Sequence, residues 1–263
     1  MSDLAESADS ISTYLQFYLG EAIQATDGAQ MGGSGDAACT YFQGIAICEL
    51  LLDAEVTAFF HHMIRSGRMR RWILRKAQER TDLPGNVIRS SNTRGLFAAL
   101  LANDKALAAD IARLSPQTWN DHVEYEEDFL YAHFIHQLVS GDDPVSLQGI
   151  LDRFNGALEG EETVRFRLCA SLLAPAQERA GLALPAFEEL VQRRRQELQE
   201  MREKSILATD DMFVPLSSVY VEGLAWLNLL EGAGIPVAAE YAFCPSLARI
   251  RSYPPLAPEI FPD

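Results

Sequence analysis

Histidines are the residues in this sequence whose types and spacing come nearest to a chemical site. His133 and His136 stand three apart, so on a helix they share one face, and Glu126 and Asp128 precede them. Metal sites built inside helical bundles use Glu-x-x-His pairs from two helices. No histidine here has a glutamate three residues before it. We therefore predict ordinary helix positions and no bound metal, and keep a helical metalloenzyme that uses these two histidines as a third alternative.

Other catalytic motifs are missing or lack their structural surroundings. The string Gly32 to Gly35 has the small residues of a nucleophile elbow, but no strand and helix flank it to aim the serine hydroxyl. No GxxxxGK[ST] phosphate loop occurs, and no GxGxxG lies between a strand and a helix. The sequence thus predicts a protein that is not an enzyme and needs no cofactor.

The four cysteines also give no sign of a metal or disulfide framework. Their spacing contains no CxxC pair and no repeated interval, and they are Cys39, Cys48, Cys169 and Cys244. We predict reduced thiols, mostly in the core.

The overall charge is strongly negative and restricts the class of partner. The chain has 37 acidic and 22 basic residues, a formal charge of -15. This charge repels phosphate backbones and anionic membrane surfaces, so no nucleic acid and no membrane are expected as partners. It also speeds encounter with a basic protein, such as a nuclease. The acidic amino terminus lacks the basic start of a secretory peptide, and no window approaches roughly 18 uninterrupted apolar residues, so a cytoplasmic protein is expected.

Acidic residues concentrate in the middle of the chain. Residues 121 to 165 contain eleven acids and two basic residues, whereas residues 65 to 80 contain seven basic residues and one acid. One interpretation is that helix starts and turns collect acids for the helix dipole and for solubility. The other is an acidic surface that docks onto a basic cleft of a partner. The candidate partner-binding residues are then Asp121, Glu124, Glu126, Glu127, Asp128, Asp142 and Asp143.

Hydrophobic periodicity places these residues in an all-α protein. Apolar residues recur at helical intervals through most of the chain, and strand-like alternation is scarce. We predict one domain over 1–263, with an N-terminal helix and Gly-rich loop at 1–36, a helical array at 37–235 and an extended tail at 236–263. The array is expected to be stacked antiparallel helices, as a helical-repeat-like array or a bundle. The tail is rich in proline, which cannot continue a regular helix.

Individual helices can be located from the same pattern and from its breaks. The string Met31 to Asp36 predicts a loop, and a central buried helix is expected from Cys39 to about Arg65, ended by Ser66 and Gly67. Further helices are predicted at about 93–102, 104–114, 116–139, 144–157, 161–174, 184–204 and 214–231. The pair 130–139 and 145–158 predicts a helical hairpin with Pro144 at a helix start.

Two stretches resemble a known family. Residues 220–237, Tyr-Val-Glu-Gly-Leu-Ala-Trp-Leu-Asn-Leu-Leu-Glu-Gly-Ala-Gly-Ile-Pro-Val, with 240–249, Glu-Tyr-Ala-Phe-Cys-Pro-Ser-Leu-Ala-Arg, resemble the closing segment of the bacterial polymorphic-toxin immunity family numbered forty-nine. Residues 91–104 and the hairpin at 129–158 resemble its stacked helices. The resemblance covers roughly residues 40 to 250.

The resemblance implies an all-helical immunity protein without enzymatic activity. Such a protein binds and neutralises a cognate bacterial toxin, for example an effector of type VI secretion, by direct contact. It does not indicate toxin-contacting residues, so the candidates remain those of the acidic cluster, and the oligomeric state stays open. The main alternative is a helical scaffold or regulator that binds peptides or proteins in a concave groove, with no toxin as partner.

Overall fold

The computed structural model describes residues 2–204 and 210–257, and in them the chain is all-α, with helices packed against one another and no strand. The helices are α1 (Ser2–Gln24), α2 (Gly28–Leu52), α3 (Val56–Glu79), α4 (Gly85–Ile88), α5 (Arg94–Leu101), α6 (Lys105–Leu114), α7 (Glu126–Ser140), α8 (Pro144–Ala157), α9 (Val164–Leu173), α10 (Ala176–Lys204), α11 (Phe213–Ser218) and α12 (Val221–Gly232), followed by a 3-10 helix at Ser246–Arg249.

The core is built from side chains of nearly all these helices. Its largest cluster runs from α2 to α12 and fully buries Phe59, Phe134 and Trp226. A second cluster lies between α1, α2 and α3 and includes Phe42 and Trp72. Helix α5 is apolar and buried from Gly95 to Leu101 because it packs against both α3 and α12. Burial of these large side chains is the main stabilising contribution to the fold.

The predicted Gly-rich loop is wrong, because residues 31–36 lie inside α2. Asp27 begins this helix by accepting a hydrogen bond from the backbone N of Gln30 at 2.8 Å. Gly32 and Gly35 serve close packing instead of a turn, whereas Gly33 has open space around it. A Cβ at Gly35 would lie 3.0 Å from the side chain of Ile73 on α3. A glycine costs about 1 kcal/mol relative to alanine inside a helix, and here that cost is offset by the close approach of the next helix.

The predicted central helix from Cys39 to Arg65 is also wrong in its limits. The chain reverses earlier, at residues 53–55, where Ala54 adopts a positive φ of 54°. Gly67 then lies in the middle of α3, where it faces α5. A Cβ there would come within 3.2 Å of the carbonyl oxygen of Gly95, so this glycine marks a helix crossing instead of a helix end.

The hairpin predicted around Pro144 is confirmed. Gly141 ends α7 with a φ of 87°, and Pro144 is the first residue of α8. Other predicted helix limits are wrong. Helix α7 begins at Glu126 and not near 116, and α10 begins at Ala176 and not near 184, with Pro185 inside it. The helix predicted at 214–231 is broken between α11 and α12. These breaks follow local hydrogen bonding that the apolar pattern does not encode.

The stretch Phe213–Gly232 is long and apolar enough, by composition, to cross a membrane. In the structure it is two helices, α11 and α12, separated by a two-residue break. Its polar residue Glu222 pairs with Arg165, and Trp226 lies in the centre of the core. Packing inside the protein therefore accounts for its apolar character.

The segment after α12 runs back across the helices. Tyr253 stacks on Phe60 of α3, with ring centroids 4.3 Å apart and an interplanar angle of 9°. Its hydroxyl donates to the carbonyl oxygen of Ala102, and His61 contacts the carbonyl oxygen of Pro254 at 2.8 Å. The predicted tail also includes 258–263, which lie outside the described residues.

Candidate functional site

Helix α7 separates the seven predicted partner-binding acids into two groups. Five lie at or before its amino-terminal end, and Asp142 and Asp143 follow its carboxyl-terminal end. A helix rises 1.5 Å per residue, so Asp128 and Asp142 are about 20 Å apart. The structure therefore brings 121–128 together and leaves Asp142 and Asp143 elsewhere.

Several of these acids have partners within the protein. Glu124 is buried and accepts hydrogen bonds from the backbone N of Ser91 at 2.8 Å and of Ser90 at 3.4 Å. Glu126 accepts from Nε of Arg153 at 2.9 Å. Glu124 thus holds a loop through both of its carboxylate oxygens, and Glu126 ties α7 to α8 through Oε1 alone.

Asp128 and Asp143 are also engaged. Burial raises the pKa of Asp128, although Nη1 of Arg165 lies 3.5 Å from its carboxylate. Asp143 caps α8 by accepting from the backbone N of Val145 at 2.8 Å and from Ser146. Those hydrogen bonds lower the pKa of Asp143. Asp143 therefore fits the interpretation in which acids collect at helix starts.

Exposed acids remain at both ends of α7. Asp121 and Glu127 are exposed near its start and Asp142 beyond its end. Asp121 lies 3.5 Å from Nδ1 of His122, also exposed. The side-chain carboxylates of Glu127 and Asp142 have no hydrogen bond or ion pair with any other described residue. The carboxylates of Glu127 and Asp142 are therefore free to meet a partner, and that of Asp121 is exposed beside His122.

An acidic hollow of about 550 Å³ lies beside the first group. Its lining residues are Arg89, Ser91, Asp121, His122, Val123, Glu124, Tyr125 and Asp128. Tyr125 is 75% exposed at its edge. Trp119 is nearby, fixed by a 3.0 Å hydrogen bond from its Nε1 to the carbonyl oxygen of Glu124. Tyrosine and tryptophan are enriched among the residues that contribute most to protein–protein binding.

A second concave region, the polar cleft, lies between the α4–α5 loop and α10 to α12. It has a volume of about 390 Å³, and its charged lining residues are Asp36, Arg89, Arg94, Arg194 and Glu222. Arg94 pairs with Asp36 at 3.2 Å. Arg89 and Ser91 line both the acidic hollow and this cleft, so the two regions are neighbours.

At the cleft wall, Glu222 is the centre of a hydrogen-bond network that the sequence did not predict. Tyr131 donates its hydroxyl to Oε1 of Glu222 at 2.7 Å, and Tyr220 donates to Oε2 at 3.1 Å. Trp226 in turn donates to the Tyr131 hydroxyl at 2.7 Å. Burial, and then the Glu222 carboxylate, raise the pKa of both tyrosines, so their hydroxyls stay protonated as donors.

His136 lies inside the helical core, and His133 on the same helix is half-buried. The ring of His133 stacks on Phe129 at 5.1 Å, and His136 is fully buried. Burial lowers the pKa of both, that of His136 to about 3. Within 2–204 and 210–257, no group of three histidine, cysteine, aspartate or glutamate side chains could hold a metal ion.

The cysteines are core thiols, as predicted. All four are buried and none forms a disulfide. Burial raises the pKa of Cys39 and of Cys244 to about 12, which disfavours the reactive thiolate.

No family model, curated protein or solved structure matches this chain. The resemblance to an immunity family therefore stays a prediction.

Proposed function

We propose that this protein is a cytoplasmic immunity protein that binds and neutralises a cognate bacterial toxin through the acidic hollow. The observation that carries the proposal is the combination of that hollow with exposed Tyr125. A lysine or arginine of the toxin would enter the hollow, and Tyr125 would pack against the surrounding toxin surface. The formal charge of -15 would attract a basic toxin over a longer range.

Internal contacts decide which of the acids are suitable for a test by substitution. Glu126 and Asp128 pair with Arg153 and Arg165, so reversing their charge would disturb the fold as well as any binding. Asp121 contacts the exposed ring of His122, and Tyr125 is largely exposed, so substitutions there disturb no buried contact of their side chains. Asp142 is an exposed acid at the other end of α7 and serves as the matched control.

The experiment is co-expression with toxins encoded beside this gene, followed by co-purification and a growth assay. We expect one toxin to co-purify and growth to be rescued. Asp121→Lys combined with Tyr125→Ala should weaken that complex about a hundredfold, whereas Asp142→Lys should change it by about twofold or less. Equal loss in both variants would exclude the hollow as the binding site. If the chain protects against no toxin, the immunity function is wrong.

A second candidate function, a scaffold that binds a peptide segment of another protein, is favoured by the polar cleft. Its arginines and carboxylates offer both donors and acceptors to an extended backbone. We propose with it that the helices stack in pairs, as in helical-repeat proteins. The successive packing of α1 on α2 and of α2 on α3 supports this arrangement. Binding that is lost on Arg194→Ala but kept on Asp121→Lys would favour this candidate over the immunity protein.

A further inference from the structure

A third concave region is lined mainly by aliphatic side chains, unlike the acidic hollow and the polar cleft. This apolar hollow, of about 410 Å³, forms where the ends of α5, α6, α7, α9, α10 and α12 meet. Its lining residues are Leu100, Asn103, Lys105, Ala108, Leu138, Val139, Leu172, Arg179, Asn228, Leu229, Gly232 and Ala233. The volume is in the range of sites that hold small molecules.

The walls of the apolar hollow are aliphatic. Leucines from four helices line it, together with Val139 and two alanines. The side chain of Asn228 is fixed in the wall because its Nδ2 donates to the carbonyl oxygens of Leu100 at 2.5 Å and Leu101 at 3.3 Å. At Gly232 a Cβ would meet no atom within 4 Å, so the hollow is open at that point. An aliphatic ligand would lose water contact against these walls, which favours its binding.

Its charged lining residues are both basic. They are Lys105, exposed at the first turn of α6, and Arg179, half-buried on α10. Arg179 is held in place by a 2.9 Å hydrogen bond from Nε to the carbonyl oxygen of Ala174. Its Nη1 and Nη2 groups, and Nζ of Lys105, have no hydrogen-bond or ion-pair partner among residues 2–204 and 210–257. In a chain of charge -15, an aliphatic hollow bordered by two available cations and no carboxylate selects for an anion.

We propose that the apolar hollow binds a small amphipathic carboxylate, of the fatty-acid class with a medium-length chain. The carboxylate accepts hydrogen bonds from Nη1 and Nη2 of Arg179 and pairs with Lys105. The alkyl chain lies along the wall formed by Leu138, Leu172 and Leu229. This site shares no lining residue with the acidic hollow, so its failure would leave the immunity proposal untouched.

Titration calorimetry and NMR with three probes test the site on the full chain. Octanoate carries both the chain and the carboxylate, octanol carries only the chain, and acetate only the carboxylate. We expect saturable binding of octanoate at one site, with octanol and acetate each at least about tenfold weaker. The absence of saturable octanoate binding would overturn the proposal, and so would equal affinity for octanol.

Two variants locate the binding independently. Gly232→Phe fills the open part of the hollow and should abolish octanoate binding. Lys105→Gln combined with Arg179→Gln should lower octanoate affinity about tenfold and leave octanol unchanged. Arg75→Gln, an exposed arginine on α3 outside the hollow, is the control and should have no effect. Thermal unfolding of each protein checks its fold, and unchanged octanoate binding in either test variant contradicts the site.

A peptide ending in an apolar residue presents the same chemistry through its terminal carboxylate. Binding of such a peptide, with no binding of octanoate, would overturn the small-molecule ligand in favour of a protein tail. Competition of octanoate with the peptide, with octanoate the tighter ligand, would support the proposal.

Discussion

Arg165 of α9 holds the carboxylate of Glu222 on α12 through two parallel hydrogen bonds. Its Nε lies 3.2 Å from Oε1, and its Nη2 lies 3.2 Å from Oε2. The guanidinium also lies over the ring of Tyr131, 4.7 Å from the centroid. Bidentate pairs of this kind fix the relative orientation of the elements they join. The pair thus ties α9 to α12 and α7 at the edge of the polar cleft.

We predict that Glu222→Gln lowers the free energy of unfolding by about 2 kcal/mol. The Glu222 side chain is only 14% exposed, so an amide there loses the ion pair and places an NH2 group opposite one of the donors. Arg165 is 43% exposed, and solvent screening limits the loss. Urea unfolding followed by circular dichroism measures it. Glu127→Gln, on an exposed carboxylate, is the control, and an equal loss in both variants would contradict the role of the network.

Stability should fall on acidification because of His136. Burial lowers its pKa from 6.5 to about 3 in the folded protein, so the unfolded chain takes up the proton first. The stability is full above about pH 6.5 and is lost progressively as the pH falls toward 3. Between pH 6 and pH 4 this linkage amounts to about 2 kcal/mol.

The measurement is urea unfolding at a series of pH values on the wild-type protein and on His136→Gln. The variant should be less stable at pH 7 but should show a shallower loss of stability between pH 6 and pH 4. His133, whose pKa burial also lowers, contributes to the slope in both proteins. Parallel curves for the two proteins would show that His136 is not the group responsible.

Gly95→Ala should destabilise the fold by about 2 kcal/mol or more. A Cβ at this position would lie 2.3 Å from Cβ of Arg70 and 3.2 Å from the carbonyl oxygen of Ser66, both on α3. Helices α3 and α5 would therefore have to move apart. Gly149→Ala is the matched control, because it lies on an exposed part of α8 with open space around it. That change should stabilise by up to about 1 kcal/mol, so opposite signs are expected in thermal unfolding.

Tyr253→Ala should release the segment that crosses α3. The substitution removes both the stacking on Phe60 and the hydrogen bond to Ala102. We expect amide hydrogen exchange of residues 246–253 to become about tenfold faster, with little change in the core helices. Tyr253→Phe keeps the ring and should show an intermediate effect. If exchange is unchanged in the alanine variant, other contacts hold the segment.

Much of the helical organisation could be predicted from the sequence because its signals are local. The α7–α8 hairpin was located correctly, since Gly141 and Pro144 determine a helix end and a helix start through their own backbone preferences. The same local reasoning failed for Gly67 and for the glycines of α2. A glycine marks a turn when the chain needs a positive φ, but also a helix crossing when another helix must come close, and only the neighbouring helix distinguishes the two.

The residues of the candidate site could likewise be predicted only in part from the sequence. The sequence by itself determined the all-α class, the negative charge and the concentration of acids around α7. Only the tertiary structure decided that Glu124 accepts hydrogen bonds from the loop at Ser90 and Ser91, that Asp121 and Tyr125 remain exposed beside a hollow, and that Glu222 meets Arg165. Each outcome depends on which groups approach within about 3 Å, and those groups are brought together by helix packing, for which spacing along the chain contains no signal.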